Sequence, residues 1–350
     1  MPMNLKKIKD AAVLIAFLAV MLWTSYGSTE EKEDKQIYIG VACYDQKDTF
    51  LGELMAAFKD ECSHLEAKGY GISLTIMDAA NSQRTQDDQV QEMINNGCDI
   101  LCVNLADRTD PSEIIDTARE NDVPIIFFNR EPVEEDLMQW NKLYYVGAEA
   151  KQSGQMQGEL AADYIKENPS VDKNSDGKIQ YVILEGELGH QDAIIRTESV
   201  AESMKENGVE LEKLSYQTAN WNRAQAQNRM TQLIGQYKNS IELVIANNDA
   251  MALGAMDAYE KLGITDSNYP VFFGIDGTDE GLEAVRQSKL AATVYNDKEG
   301  QAYTMAQLAY AVVTGYGMNN IGFENKKYIY LPYKKVTAGN VTEFIDNIQD

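Results

Sequence analysis

The run Ile37-Tyr38-Ile39-Gly40-Val41-Ala42-Cys43 opens the pattern that decides the fold. It is short and apolar, and a stretch of helical period over 50–68 follows it. The pair of patterns then recurs. Strands over 72–77, 99–103 and 123–128 alternate with helices over 83–96 and 111–121, the latter started by Pro111. A second series begins near Lys151. Helices over 152–167, 192–207, 222–237, 249–262 and 279–287 alternate with strands over 179–184, 211–216, 241–246, 270–275 and 291–294. A helix over 299–313 and an extended stretch over 327–331 close the chain. Such alternation predicts doubly wound α/β architecture with parallel sheets. The 350 residues suggest about two domains. No low-complexity linker divides them, so the choice is one large sheet or two lobes joined by several crossing strands.

Open α/β sheets bind ligands beyond the carboxyl ends of their strands. Those ends carry Asp48 and Phe50, Asn104, Asn129, the segment 185–190, Trp221, Asn247-Asn248-Asp249, Asp276 and Asn296-Asp297. Asp and Asn dominate, aromatics are present and basic groups are scarce. Uncharged, hydroxyl-rich ligands need bidentate donors and acceptors, plus flat rings for the C–H faces of a sugar. For any single Asn or Asp, capping the helix that follows is an equally good explanation. Repetition at nearly every strand end favours binding.

The stretch Asp172-Lys173-Asn174-Ser175-Asp176-Gly177-Lys178-Ile179-Gln180 reads as three quarters of an EF-hand loop. Oxygen side chains fall at loop positions 1, 3, 5 and 9, Gly177 falls at the sharp turn, and Lys178 offers its carbonyl. The bidentate Glu of position 12 is missing, since Ile183 stands there. A calcium ion would need a carboxylate from elsewhere, so a distant acidic residue should pack against the loop. The plain alternative is a polar turn between a helix and a strand.

Lys and Arg number 31 against 55 Asp and Glu. That balance argues against nucleic-acid binding, because phosphates would be repelled, and it favours a monomer that repels its own copies. Lys6, Lys7 and Lys9 precede an apolar run over 11–23, which reads as a signal peptide ending near Ser28. Without it the body carries 28 basic and 54 acidic residues, a charge near −26. No Cys follows the run, so no lipoprotein anchor is encoded, while an uncleaved anchor stays open. Cys43, Cys62, Cys98 and Cys102 match no zinc spacing and read as buried thiols, with one disulfide as the alternative.

Taken together, the motifs Asp48-Thr49-Phe50, Val103-Asn104-Leu105, Phe127-Phe128-Asn129, Gly189-His190 with Asp192 and Arg196, Asn247-Asn248-Asp249 and Val294-Tyr295-Asn296-Asp297 resemble the type I periplasmic binding proteins. Within them they look like the galactose/glucose receptors of sugar ABC importers. The resemblance covers about 39–336. It implies two Rossmann-like lobes joined by a three-strand hinge, the first from 36–123 plus 297–330 and the second from 124–296 plus 331–350. It implies Phe50 and Trp221 sandwiching a D-galactose or D-glucose ring, and delivery of that sugar to membrane permease subunits. Asp48 and Asn104 would bind hydroxyls from the first lobe. His190, Asp192, Arg196, Asn248, Asp276 and Asn296 would bind from the second lobe and hinge. It also implies a structural Ca2+ held by Asp172, Asn174, Asp176, Lys178, Gln180 and Glu242, the last supplying the missing carboxylate. Leu188 and Gln191 depart from the family, which usually has prolines there.

A binding protein for ribose or another monosaccharide is the nearest alternative, and three further readings stand beside it. A LacI-like regulator would need an N-terminal helix-turn-helix and a basic face. An enzyme could use His190 and Asp192 as an acid–base pair, but no nucleophile motif or phosphate loop accompanies them. A sugar sensor docking on a chemoreceptor or membrane kinase is compatible with the receptor reading.

Overall fold

The computed structural model describes residues 36–67, 69, 71–264 and 269–346. The expected signal peptide over 1–28 lies outside the described residues.

The chain begins with β1 (Ile37–Cys43), α1 (Thr49–Ala67), β2 (Ile72–Asp78), α2 (Gln83–Asn95) and β3 (Ile100–Val103). Then come α3 (Ser112–Glu120), β4 (Ile125–Phe128), the single turn α4 (Glu134–Leu137) and β5 (Leu143–Gly147). The second series is α5 (Ala150–Glu167), β6 (Ile179–Glu185), α6 (Gln191–Glu206), β7 (Leu211–Thr218) and α7 (Arg223–Tyr237). It continues with β8 (Leu243–Ala246), α8 (Asp249–Lys261), β9 (Val271–Phe273), α9 (Asp279–Arg286) and β10 (Ala292–Tyr295). The chain closes with α10 (Lys298–Thr314), β11 (Tyr328–Tyr330), β12 (Lys334–Thr337) and α11 (Val341–Asp346).

Two six-stranded sheets result. The first runs β11-β5-β4-β3-β1-β2 and is parallel throughout. The second runs β12-β10-β9-β8-β6-β7, with only β12 antiparallel to its neighbour. Each is the centre of a two-faced α/β lobe. In β1, Ile37, Ile39, Val41 and Cys43 join a core with α1 and α10, while Ala42 joins the core of α2 and α3 on the opposite face. That is the period-2 alternation of a strand covered on both sides. The α1 side of this core is Leu51, Leu54, Met55, Phe58, Cys62 and Leu65, a helical stripe. In the second lobe α7, α8 and α9 cover one face, and α5 and α6 the other.

The chain crosses between lobes three times: after Gly147, at Asn296-Asp297, and between Tyr330 and Lys334. The resemblance implies a first crossing at 123/124, and the strand pairing differs. Strands β4 and β5 pair in the first sheet, with β5 held between β4 and β11, so the expected boundary at 123/124 moves to about residue 148. The four cysteines are free thiols, three of them buried, with no disulfide. Among the described residues no helix is long and apolar enough to cross a membrane.

Candidate functional site

The carboxyl ends of both sheets face each other across the hinge. They enclose a cavity of about 30 Å³ lined by Tyr44, Asp48, Phe50, Asn129, Arg130, His190, Asp192, Arg196, Trp221, Asn248 and Asp276. That space holds about two waters. A pyranose enters only when the lobes part, which the three crossings permit as a hinge.

Eight of the ten expected ligand residues line this cavity. Asn104 and Asn296 do not. Asn104 is fully buried one layer behind, donating to the Phe128 carbonyl and to Asn129 Oδ1, both at 3.0 Å. Asn296 is buried at the second crossing, where its Oδ1 accepts from Gln301 Nε2 at 2.7 Å. Asn129 takes the place on the wall. Tyr44 and Arg130 also line the cavity, and Tyr333 reaches Arg196 from behind it. Arg130 means that Arg196 is not the lone guanidinium at these strand ends.

Capping and binding turn out to use the same side chains. His190 Nδ1 accepts the Asp192 amide at 3.1 Å as it caps α6. Asn248 Oδ1 accepts the Met251 amide at 2.9 Å as it caps α8, and its Nδ2 reaches the Trp221 carbonyl at 3.3 Å. Each cap uses one polar atom and fixes the direction of the rest. Because His190 accepts a backbone amide, it forms no side-chain dyad with Asp192 of the kind an acid–base pair would need.

Three lining residues hold left-handed backbone: Asn129 at φ 59°, Trp221 at φ 59° and Asp276 at φ 111°. Such conformations cost about 1–3 kcal/mol each in a non-glycine residue and concentrate at functional sites. Trp221 also needs Gly186. A Cβ there would stand 2.1 Å from Trp221 Cζ2, so no other residue leaves room for the indole.

Arg196 organises the charge. It is 4% exposed; its Nη1 donates to the Asn247 carbonyl at 2.8 Å and its Nη2 to the Tyr333 hydroxyl at 3.0 Å. Asp276 Oδ1 lies 3.5 Å away and Asp192 Oδ2 3.8 Å. Its Nε is buried without a partner. Burial raises the pKa of Asp276 and Asp192, and Arg196 pulls each back. For Arg196 burial works against the charge, but Tyr333, Asp276 and Asp192 together raise its pKa. Burial, then the cations of Arg130, Arg196 and Arg108, push His190 well below its ordinary value. The imidazole is therefore neutral, with Nδ1 as acceptor and Nε2 as the N–H donor. The site thus combines carboxylates, amides, one guanidinium N–H and two aromatic faces, which suits a neutral polyol.

The Asp172 loop lies on the far side of the second lobe. Gly177 holds φ 80° at the sharp turn. Glu242 does pack against the loop. It is 1% exposed, its Oε1 accepts the Lys173 amide at 2.6 Å, and its Oε2 accepts the Gln180 amide at 3.0 Å. Asp172 and Asp176 accept loop amides too, at 2.8–3.2 Å. Among the described residues no three Asp, Glu, His or Cys side chains converge as a metal cage.

The periplasmic binding protein domain matches residues 39–317. The chain is 35% identical over 310 residues to the D-galactose/methyl-galactoside binding periplasmic protein MglB of Haemophilus influenzae, covering 88% of this chain and 91% of the relative. It is 30% identical to a putative rhizopine-binding protein of Rhizobium meliloti, covering 84% and 92%. Among solved structures, an ABC transporter solute binding protein of Bacillus halodurans with bound myo-inositol superposes with TM-score 0.74 at 31% identity, covering 89% and 98%. An Actinobacillus succinogenes solute binding protein, at 19% identity and TM-score 0.74, shares the fold. The chain therefore belongs to the periplasmic binding protein domain family, in its two-lobed type I fold, and is a binding protein rather than an enzyme.

Proposed function

We propose that this chain is the extracytoplasmic receptor of a sugar ABC importer, and that it captures D-galactose and D-glucose between its lobes for delivery to the permease. The observation that carries this reading is the cavity itself. Asp48, Asn129, Asp192, Asn248 and Asp276 line it together with Phe50 and Trp221, and Arg196, on the same wall, has a buried, unpartnered Nε. A ring oxygen can take that N–H, vicinal hydroxyls can donate to the carboxylates, and the two aromatic faces can cover the ring. The galactoside-binding relative favours a hexopyranose. The relative with bound myo-inositol favours a cyclic polyol without a ring oxygen as the second reading.

Calorimetric titration of ligand-stripped protein with D-galactose, D-glucose, myo-inositol, D-ribose and D-allose separates the two readings. One-to-one micromolar binding of the hexoses, lost in Trp221→Ala, supports the first. Binding of myo-inositol alone supports the second, and silence across the panel defeats both.

The Asp172 loop is proposed to hold a structural Ca2+. Its donors are all oxygen: carboxylates of Asp172, Asp176 and Glu242, amides of Asn174 and Gln180, and the Lys178 carbonyl, which suits a hard cation. Glu242 is a nearly fully buried carboxylate whose hydrogen bonds come from backbone amides, with the Lys173 ammonium nearby, and a dication would complete the compensation of its charge. The ion would tie the loop to β8 and takes no part in the cleft.

A further inference from the structure

Two ion pairs join the lobes among the described residues: Lys298–Asp279 beside the second crossing, and Arg130–Glu187 over the cavity. Arg130 follows β4 in the first lobe and is 4% exposed. Its Nη1 donates to the Ala106 carbonyl at 2.9 Å, within its own lobe. Its Nη2 donates to Glu187 Oε2 of the second lobe at 2.7 Å. The guanidinium carbon also lies 3.6 Å from the centroid of the Tyr44 ring, and the Tyr44 hydroxyl donates to Asp48 Oδ2 at 2.6 Å. A line of contacts therefore runs from Glu187 through Arg130 and Tyr44 to a carboxylate on the cavity wall.

The pair stands where the inner cavity meets the outside. Two outer cavities, of about 300 and 520 Å³, flank it, and Glu187 lines both. One shares Tyr44, Asp48 and Trp221 with the inner cavity, and the other shares Arg130 and His190. Opening the lobes breaks the Arg130–Glu187 contact but leaves Arg130 its carbonyl and its Tyr44 face. The cation thus stays placed in the open state, and only Glu187, 40% exposed at its side chain, must return to it. A preorganised group of this kind lowers the cost of closing.

We propose that Arg130 and Glu187 form the clasp that holds the lobes shut over the ligand, and that Arg130 positions Asp48 through Tyr44. The proposal rests on the sugar-receptor reading for its binding readout only. Such a clasp draws the lobes together with or without ligand, so losing it speeds dissociation and leaves association equal or faster. A merely structural role would instead move the melting temperature and leave the two rates alone.

The test uses the full mature chain, with Glu187→Gln as the isosteric variant and Arg130→Met as the second. Stopped-flow Trp fluorescence with the sugar that binds best gives both rates, and small-angle X-ray scattering without sugar gives the radius of gyration. Glu187→Gln is expected to dissociate roughly twofold to fivefold faster, as for a part-exposed charge pair, with association no slower and melting temperature little changed. The double variant should dissociate no faster than Arg130→Met alone, because the two groups act as one contact. The sugar-free Glu187→Gln protein should scatter as a larger particle. An unchanged dissociation rate in Glu187→Gln, or multiplicative effects in the double variant, overturns the clasp. If wild-type protein binds no sugar at all, the receptor reading fails, and scattering decides the clasp alone: equal radii for wild type and Glu187→Gln reject it.

Discussion

Arg196 Nη1 stands 3.5 Å from Asp276 Oδ1, and both side chains are at least nine-tenths buried. The two charges are held together by geometry that would be costly without a partner for each. Asp276 accepts this arrangement at φ 111°, a backbone conformation that only a constrained site maintains. The same guanidinium leaves its Nε buried without a partner, on the wall of the cavity.

Removing the fork separates those roles. Arg196→Met leaves Asp192 and Asp276 buried without their cation, and should lower stability by about 3–5 kcal/mol. Arg196→Lys keeps the charge but not the planar donors that reach Asn247, Tyr333 and the cavity together. It should fold, yet bind sugar at least about 30-fold more weakly, a loss of about 2 kcal/mol. Urea denaturation and calorimetry check the two halves. Wild-type affinity in Arg196→Lys would remove Arg196 from the ligand shell.

Gly186→Ala tests the seat of Trp221. The added methyl cannot coexist with the indole where it stands, so the ring must turn out or the β6 end must move. Overpacking of this kind costs about 1–3 kcal/mol. The variant should show altered Trp fluorescence and weakened sugar binding. Unchanged emission together with unchanged affinity would mean that the indole position does not matter to the site.

His190 makes stability depend on pH with a defined sign. Its folded pKa is lowered, so between that value and the unfolded value near 6.5 the unfolded chain binds more protons. Stability from this group is therefore fully present above about pH 6.5 and is lost as pH falls below it. Asp249, pushed up to about 7 by burial, works in the opposite sense, losing stability as pH rises through about 7. The informative quantity is thus the difference between wild type and His190→Gln in melts from pH 5 to 8. The wild type should lose stability on the acid side relative to the variant, by at most about 1.4 kcal/mol per pH unit. Parallel curves would mean that His190 titrates alike in the folded and unfolded states, with no lowering by burial.

How far sequence alone reached follows from which forces are local. Strand and helix alternation is local, so the fold class was readable from Ile37 onward. The capping position Asn248 was readable for the same reason, whereas His190 was not, because the capping reading covered only Asn and Asp. Lobe membership is not local. Strand β5 is set by pairing with β11, about 180 residues later, and nothing in Leu143–Gly147 announces that partner. The strand-end rule offered Asn104 and Asn129 on equal terms. Only the backbone turn at φ 59° carries Asn129 onto the cavity wall and leaves Asn104 behind it. Arg130 adjoins Asn129 at the same strand end, and that adjacency was the signal that could have found it. Tyr333 arrives on the third crossing, where no strand-end pattern could point to it.

Glu242 decides whether the second-lobe loop is a cation site. With Ca2+ bound, the folded state gains about 2.7 kcal/mol when the free ion is 100-fold above its Kd. Chelation of the protein should then lower the melting temperature, and added Ca2+ should restore it. Glu242→Gln keeps an oxygen for the Lys173 amide but removes the buried charge, so it should melt identically with and without chelator. Sugar affinity should change little in either case, because the loop lies on the far side of the lobe from the cleft. A melting temperature indifferent to chelator in the wild type would make the loop a turn stabilised by its own amides. Glu242 would then be a buried carboxylate balanced by the amides of Lys173, Asn174 and Gln180 and by the nearby Lys173 ammonium.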